Sequence, residues 1–126
     1  MINNKINIKI NHELKNKTIL LTGGAGSIGS MLTKKLLEFP VKSVRILDVD
    51  EHALFKLGRS VKDSRLRLLL GDIQNIDRLD MAGIGVDIII HLAAVKNIEI
   101  TEFNPIETIN TNINGTVNLI KMAIRN

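Results

Sequence analysis

Apolar positions along the chain fall into short strand-sized runs separated by stretches of helical spacing. Thr18–Thr22 is a compact β-rich run ending at Gly23-Gly24, and it predicts a first strand. Ile28, Met31, Leu32, Leu36 and Leu37 then recur every few positions up to Glu38, and Pro40 stops the helix they predict. Val44–Asp48 is a second strand, and Asp50 stands where it can cap a helix bearing Leu54 and Leu57. Arg67–Leu70 gives a third strand, closed by Gly71-Asp72. A short helix around Ile76–Met81 ends at Gly83 and Gly85. Val86–His91 is the fourth strand, and its unbroken apolar run predicts burial on both faces, as in a parallel sheet.

The last helix has the clearest start. Asn104 can cap it, Pro105 suits its first position, and Glu107 completes a capping box. Ile109, Ile113, Val117, Ile120 and Ile124 form its helical stripe. Met1–Asn16 is a lead-in segment without a chemical motif. There Ile6, Ile8 and Ile10 alternate with Asn7 and Lys9, a pattern that allows a short strand. The domain proper is residues 17–126. Its alternation of strand and helix predicts an α/β fold, a Rossmann-like doubly wound parallel sheet of order 3-2-1-4. Four strands make the first half of the usual six-stranded version.

Composition narrows the chemistry. The 126 residues suit one domain with its own core. The absence of cysteine excludes disulfides and thiolate metal sites, and no metal site is expected. A reducing compartment follows as the expectation, the cytoplasm, with a membrane-anchored parent protein left open. No run approaches the ~20 apolar residues of a membrane span. The net charge of +4 invites a nucleic-acid reading, but the basic residues are scattered. With no Trp or Tyr and three Phe, base-stacking platforms are lacking, so nucleic acid is not an expected partner. Met31 and Met81 are expected to fill the core.

One segment carries specific chemistry. Thr22-Gly23-Gly24-Ala25-Gly26-Ser27-Ile28-Gly29 joins the first strand to the first helix of the alternation. Gly23 allows the turn, Gly26 lets backbone approach a pyrophosphate, and Gly29 lets the helix pack closely on the strand. Phosphates would then meet free N–H groups at the positive end of the helix. The strand–turn–helix context makes this a dinucleotide-binding signature. Asp48 ends the second strand 19 residues after Gly29, close to the ~20 expected of the acidic residue that takes the adenosine ribose hydroxyls. A carboxylate there repels the extra phosphate of NADP; two unit charges at 4 Å cost about 4 kcal/mol at an effective dielectric of 20. NAD is therefore the expected cofactor, ahead of NADP. Two roles are open to Asp72. Its carboxylate can meet the adenine amino group while Ile73 lines the ring, or it can cap the short helix that follows. Leu92, Ala93 and Ala94 let backbone pass the cofactor, and His91 before them is expected to pack at the strand end.

These residues together resemble the extended short-chain dehydrogenase/reductase family, whose glycine pattern begins Thr-Gly as Thr22-Gly23 does. More narrowly, the chain is similar to the polysaccharide-biosynthesis branch of nucleoside-diphosphate-sugar 4,6-dehydratases, whose usual substrate is UDP-N-acetylglucosamine. Gly26–Ser30, Gly71-Asp72-Ile73 and His91–Lys96 carry the likeness, together with Asn104–Glu107 and Thr111–Asn118. The resemblance implies that Lys96 lies beside the nicotinamide ribose or the sugar. It also implies that Asn112 is the helix asparagine that orders the active site, both acting as auxiliary groups. Just after Lys96 the chain departs from the branch, with Asn97 and Glu99 where His and later Pro are common. The family's proton-transfer Tyr, followed four residues on by Lys, has no counterpart here, since the chain has no tyrosine. The expectation is thus an NAD-binding part of a UDP-sugar 4,6-dehydratase that binds without catalysing by itself and meets the UDP-sugar only with further chain. A UDP-sugar 4-epimerase and a non-catalytic nucleotide-binding module are the alternatives. Self-association is expected from the fourth-strand edge and the final isoleucine stripe.

Overall fold

β1 (Thr18–Thr22) is buried along its whole length, with a parallel strand on either side of it. In this computed structural model, which describes residues 2–126, the sheet runs β3-β2-β1-β4 and every pairing is parallel. β2 is Ser43–Asp48, β3 Leu66–Leu70 and β4 Ile88–His91. The expected order 3-2-1-4 is what the structure shows.

Alternate residues of β1 feed two cores. Ile19 and Leu21 face one side, with Leu36 of α2 (Ser27–Leu36) and Leu54 and Leu57 of α3 (Glu51–Ser60). Leu20 faces the other, with Leu79 and Ala82 of α4 (Ile76–Ala82) and Leu119 and Met122 of α7 (Gly115–Arg125). Helices on both faces of a parallel sheet define a doubly wound fold. Asp50 caps α3, accepting from the Ala53 N–H at 3.0 Å, as its position predicts.

Several expectations are corrected. The first segment is a helix, α1 (Ile2–Leu14), not a strand. Ile6, Ile10 and Leu14 stand four apart, so their spacing fits a helix face as well as an alternation, and Leu14 reaches the first core. β4 is half-buried rather than buried on both faces, because only β1 pairs with it. Met31 and Met81 are not core filler; they are 73% and 62% exposed, on the outer faces of α2 and α4. The inner face of α2 is Gly29, Thr33 and Leu36, with Ile28 left outside.

The final helical region is also more elaborate than expected. A short helix α5 (Ile98–Phe103) precedes it, and α6 (Pro105–Ile109) meets α7 through a widened turn at Asn110–Asn114. There the Gly115 N–H reaches back five residues to the Asn110 carbonyl. The capping box does not form, because the Asn104 amide donates to the Ile100 carbonyl at 2.9 Å instead. The isoleucine stripe faces outward, and the buried face of α7 is Gly115, Leu119 and Met122. This helix is apolar on two faces, and periodicity alone does not say which one turns inward.

Candidate functional site

The carboxyl ends of the four parallel strands open into a cleft of about 310 Å³, at the low end of the range for small-molecule sites. It is lined by Gly23 and Gly26 from the turn after β1, Asp48 and Val49 after β2, Asp72 and Ile73 after β3, and Leu92–Lys96 after β4. A crevice at the strand ends where neighbouring loops diverge is the general ligand position of such sheets.

The glycine turn is shaped by contact as much as by conformation. Gly23 has φ +67° and lies so close to the β4 exit loop that a Cβ would stand 2.7 Å from the Ala93 nitrogen. A Cβ on Gly29 would strike the backbone of Gly24, so the first turn of α2 packs on the glycine turn itself rather than on the strand. At Gly26 a Cβ would meet nothing nearer than the Gly23 oxygen at 3.5 Å, which leaves that backbone open to the cleft. No side chain caps α2, whereas Asp50, Asn75 and Asn97 cap α3, α4 and α5. The leading N–H groups of α2 therefore stay available to an anion.

Asp48 faces the same turn. One carboxylate oxygen accepts from the Ala25 N–H at 3.1 Å and the other from the Asp50 N–H at 3.0 Å. Asp72 is not the cap of α4, a role taken by Asn75, whose side chain accepts from the Arg78 N–H. The Asp72 carboxylate instead accepts from the Gln74 N–H at 2.9 Å beside the cleft. Ile73 is buried beneath that loop, and Asn118 of α7 holds the loop by donating to the Ile73 carbonyl at 3.1 Å.

Ser27, Ile28 and Gly29 sit on the first turn of α2 and do not line the cleft wall. Leu92, Ala93, Ala94 and Lys96 do, with Lys96 exposed at the rim. Asn112 lies one layer behind, its side chain bonded to the backbone of Val95. Spacing did not single out Thr22, Thr111, Thr116 or Asn118. Thr111 lines the cleft and accepts from the Gln74 amide at 3.1 Å. The signal for Thr22 was its place directly before the glycine turn. His91 is more than strand-end packing, since each ring nitrogen meets a threonine hydroxyl. Burial lowers its pKa below the ordinary 6.5. Among the described residues no group of acidic, His or Cys side chains could hold a metal ion, and no helix is long and apolar enough to cross a membrane.

Comparison with known proteins gives the geometry a context. Residues 19–126 match the model of a family described as polysaccharide biosynthesis protein. An uncharacterized membrane protein of Methanocaldococcus jannaschii is 44% identical over 91% of this chain and 34% of its own length. An inverting UDP-N-acetylglucosamine 4,6-dehydratase of Campylobacter jejuni is 39% identical over 87% of this chain and 33% of its own length. A UDP-glucose 4-epimerase of Rickettsia prowazekii is 36% identical with the same coverage. Among solved structures, Pen from Bacillus thuringiensis superposes with a TM-score of 0.85 at 39% identity, over 89% of this chain and 35% of that one. The dTDP-glucose 4,6-dehydratase DesIV of Streptomyces venezuelae, solved with NAD bound, gives 0.77 at 33% identity, over 86% and 36%. The chain thus spans about a third of the length of the relatives it matches.

Proposed function

Because the chain belongs to the polysaccharide biosynthesis protein family of short-chain dehydrogenase/reductase fold, we propose that it is the NAD-binding part of a sugar-nucleotide 4,6-dehydratase acting on a UDP-N-acetylglucosamine-type substrate. The observation that carries its dinucleotide-binding part is the cleft itself, with an uncapped helix start, an open Gly26 and the Asp48 carboxylate along one wall, while the likeness to the dehydratase relatives supports the reaction.

The residues fit a dinucleotide. The pyrophosphate lies over the Gly23–Gly26 turn against the start of α2, whose leading N–H groups no side chain caps and whose dipole favours negative charge. Asp48 keeps lone pairs for the ribose hydroxyls beyond the two backbone N–H groups it already serves. Its charge opposes a 2′-phosphate, which favours NAD over NADP. Ile73 supplies an apolar wall for the adenine, with Asp72 at its edge. Leu92–Ala94 pass close behind, and Lys96 stands at the rim where a nicotinamide ribose or sugar would arrive. When bound, the nicotinamide supplies hydride acceptance and return; these residues bind and orient it.

A 4-epimerase is the second reading, favoured by relatives nearly as similar to this chain as the dehydratase. The two activities share fold and cofactor and differ in what happens to the oxidised sugar. Incubating the full-length protein with UDP-N-acetylglucosamine and weighing the product separates them. Loss of one water supports the dehydratase. An unchanged mass with inverted C4 replaces it with the epimerase, and an untouched substrate removes both in favour of a binding module. The protein is further proposed to work in the cytoplasm and to associate with itself.

A further inference from the structure

His91 lies between two threonines that belong to different parts of the cleft. Its Nδ1 stands 2.6 Å from the hydroxyl of Thr22, the last residue of β1 and the one that precedes the glycine turn. Its Nε2 stands 3.0 Å from the hydroxyl of Thr116 on α7. Counting donors and acceptors fixes the direction of every bond in this row. Thr22 Oγ1 accepts from two backbone N–H groups, that of Ala93 at 3.3 Å and that of Leu92 at 3.2 Å, which is shared with the Thr22 carbonyl at 2.9 Å. It is fully buried, and among the described residues the one acceptor in reach of its own proton is Nδ1 of His91. On the other side, Thr116 Oγ1 donates to the Asn112 carbonyl at 2.7 Å, so it is free to accept from Nε2–H.

The row therefore reads in one direction only. Leu92 and Ala93 donate to Thr22, Thr22 donates to Nδ1, Nε2–H donates to Thr116, and Thr116 donates to the Asn112 carbonyl. The other neutral tautomer, or the imidazolium, puts a proton on Nδ1 and leaves the Thr22 hydroxyl buried without an acceptor. Asn112 in turn clasps the backbone of Val95, so the row ends where the cleft wall resumes.

We propose that His91, in its Nε2–H form, is a positioning residue that locks the glycine turn, the Leu92–Lys96 wall and the Asn112 turn into one arrangement, and that its protonation loosens the dinucleotide cleft. The consequence for ligand rests on the dinucleotide reading above; the row itself does not. The elements packed against the ring add no competing charge. Neither Thr18–Thr22 of β1 nor Asn110–Ile120 contains an ionisable side chain. β4 itself has no other, and Asp87 and Lys96 flank it at its two ends. Asp48 and Asp72 are the remaining charges of the cleft.

The test is a pH titration of protein labelled with ¹⁵N, following the His91 ring and the backbone amides together. The expected result is an unprotonated Nδ1 and a protonated Nε2 at neutral pH, with a midpoint below 6.5. The amides of Ala93 and Val95 should shift with that same midpoint. Thr22→Val, which removes the hydroxyl but keeps the shape, should release the ring into a mixture of tautomers. ADP-ribose affinity in the unsubstituted protein should fall several-fold as pH drops through the His91 midpoint, and His91→Gln should abolish that dependence. A ring protonated on Nδ1 at neutral pH, or a Val95 amide indifferent to the titration, overturns the row. ADP-ribose affinity that ignores the midpoint overturns the loosening. Failure to bind ADP-ribose at any pH, with the ring behaving as stated, counts against the dinucleotide reading and leaves the locking row supported.

Discussion

The side-chain amide of Asn112 pairs with the backbone of Val95 much as one strand pairs with another. Its oxygen accepts from the Val95 N–H at 2.8 Å and its nitrogen donates to the Val95 carbonyl at 2.9 Å. The pairing arises where the helix widens at Asn110–Asn114, and it fixes the loop that ends in Lys96. Removing it leaves two partly buried backbone groups unpaired. Asn112→Ala should therefore cost ~1–3 kcal/mol and raise the exchange rate of the Val95 amide. Asn112→Asp should lose less, since it keeps the acceptor and forfeits the donor. Urea unfolding and amide exchange check both; an Ala variant within about 0.5 kcal/mol of the parent would show that water replaces the clasp.

Gly115 is buried against Ile73, the residue proposed to form the adenine wall of the cleft. A Cβ there would stand 2.5 Å from Cδ1 and 2.6 Å from Cγ1 of Ile73. Gly115→Ala should push Ile73 toward the cleft and destabilise by ~1–3 kcal/mol through overpacking. Binding of adenosine-containing ligands should weaken along with stability. If thermal unfolding falls while ligand affinity holds, Ile73 does not form the adenine wall.

Arg65 offers the opposite pattern. Its guanidinium donates to the carbonyls of Leu37, Phe39 and Val41, closing the turn between α2 and β2, while Asp63 orients it. Arg65→Ala should cost ~1.5–3 kcal/mol, typical of a charged hydrogen-bonding group. It should leave dinucleotide affinity unchanged, because no cleft residue is involved. Chemical denaturation with a parallel ligand titration separates the two effects.

Acid should weaken the fold in two steps. Burial lowers the His91 pKa, so the unfolded chain binds a proton there more readily than the folded one. Its contribution is intact above the ordinary 6.5 and is lost as pH falls through the lower folded value. Hydrogen bonds from Arg65 hold the Asp63 carboxyl at about 2, against an ordinary 3.8. Stability from that pair is present above 3.8 and fades as pH falls toward about 2. Urea midpoints measured from pH 8 down to about pH 2 should show both steps. His91→Gln should erase only the first, and Asp63→Asn only the second.

Much of the fold was legible because strand and helix periods differ and because the glycine turn interrupts them at one place. β1 agrees residue for residue, and Asp50 caps the helix assigned to it. What misled was face selection. In α7 the buried face is Gly115, Leu119 and Met122, and the isoleucine stripe that periodicity detects ends up outside. In α2 Leu36 is buried as its spacing predicts, but Gly29 and Thr33 share the inner face while Ile28 and Met31 turn outward. The lining of the cleft was legible where a residue sits at a strand's carboxyl end, as Asp48 at the end of β2 and Asp72 two residues after β3 do. The threonine–histidine row was not, since Thr22, His91 and Thr116 are far apart in sequence and are joined only by the pairing of β1 with β4 and the docking of α7.

The central claim is that this cleft holds NAD with Asp48 on the adenosine ribose. Calorimetric titration of the purified chain with NAD, ADP-ribose and NADP tests it most directly. Asp48→Asn serves as the variant that removes the charge while keeping an acceptor oxygen. The expected result is binding of NAD and ADP-ribose at least ten-fold tighter than NADP, a gap of about 1.4 kcal/mol that narrows in Asp48→Asn. Equal or reversed affinities for NAD and NADP, or a gap that survives the loss of the carboxylate, would contradict the role assigned to Asp48. Absence of binding by all three would contradict the site.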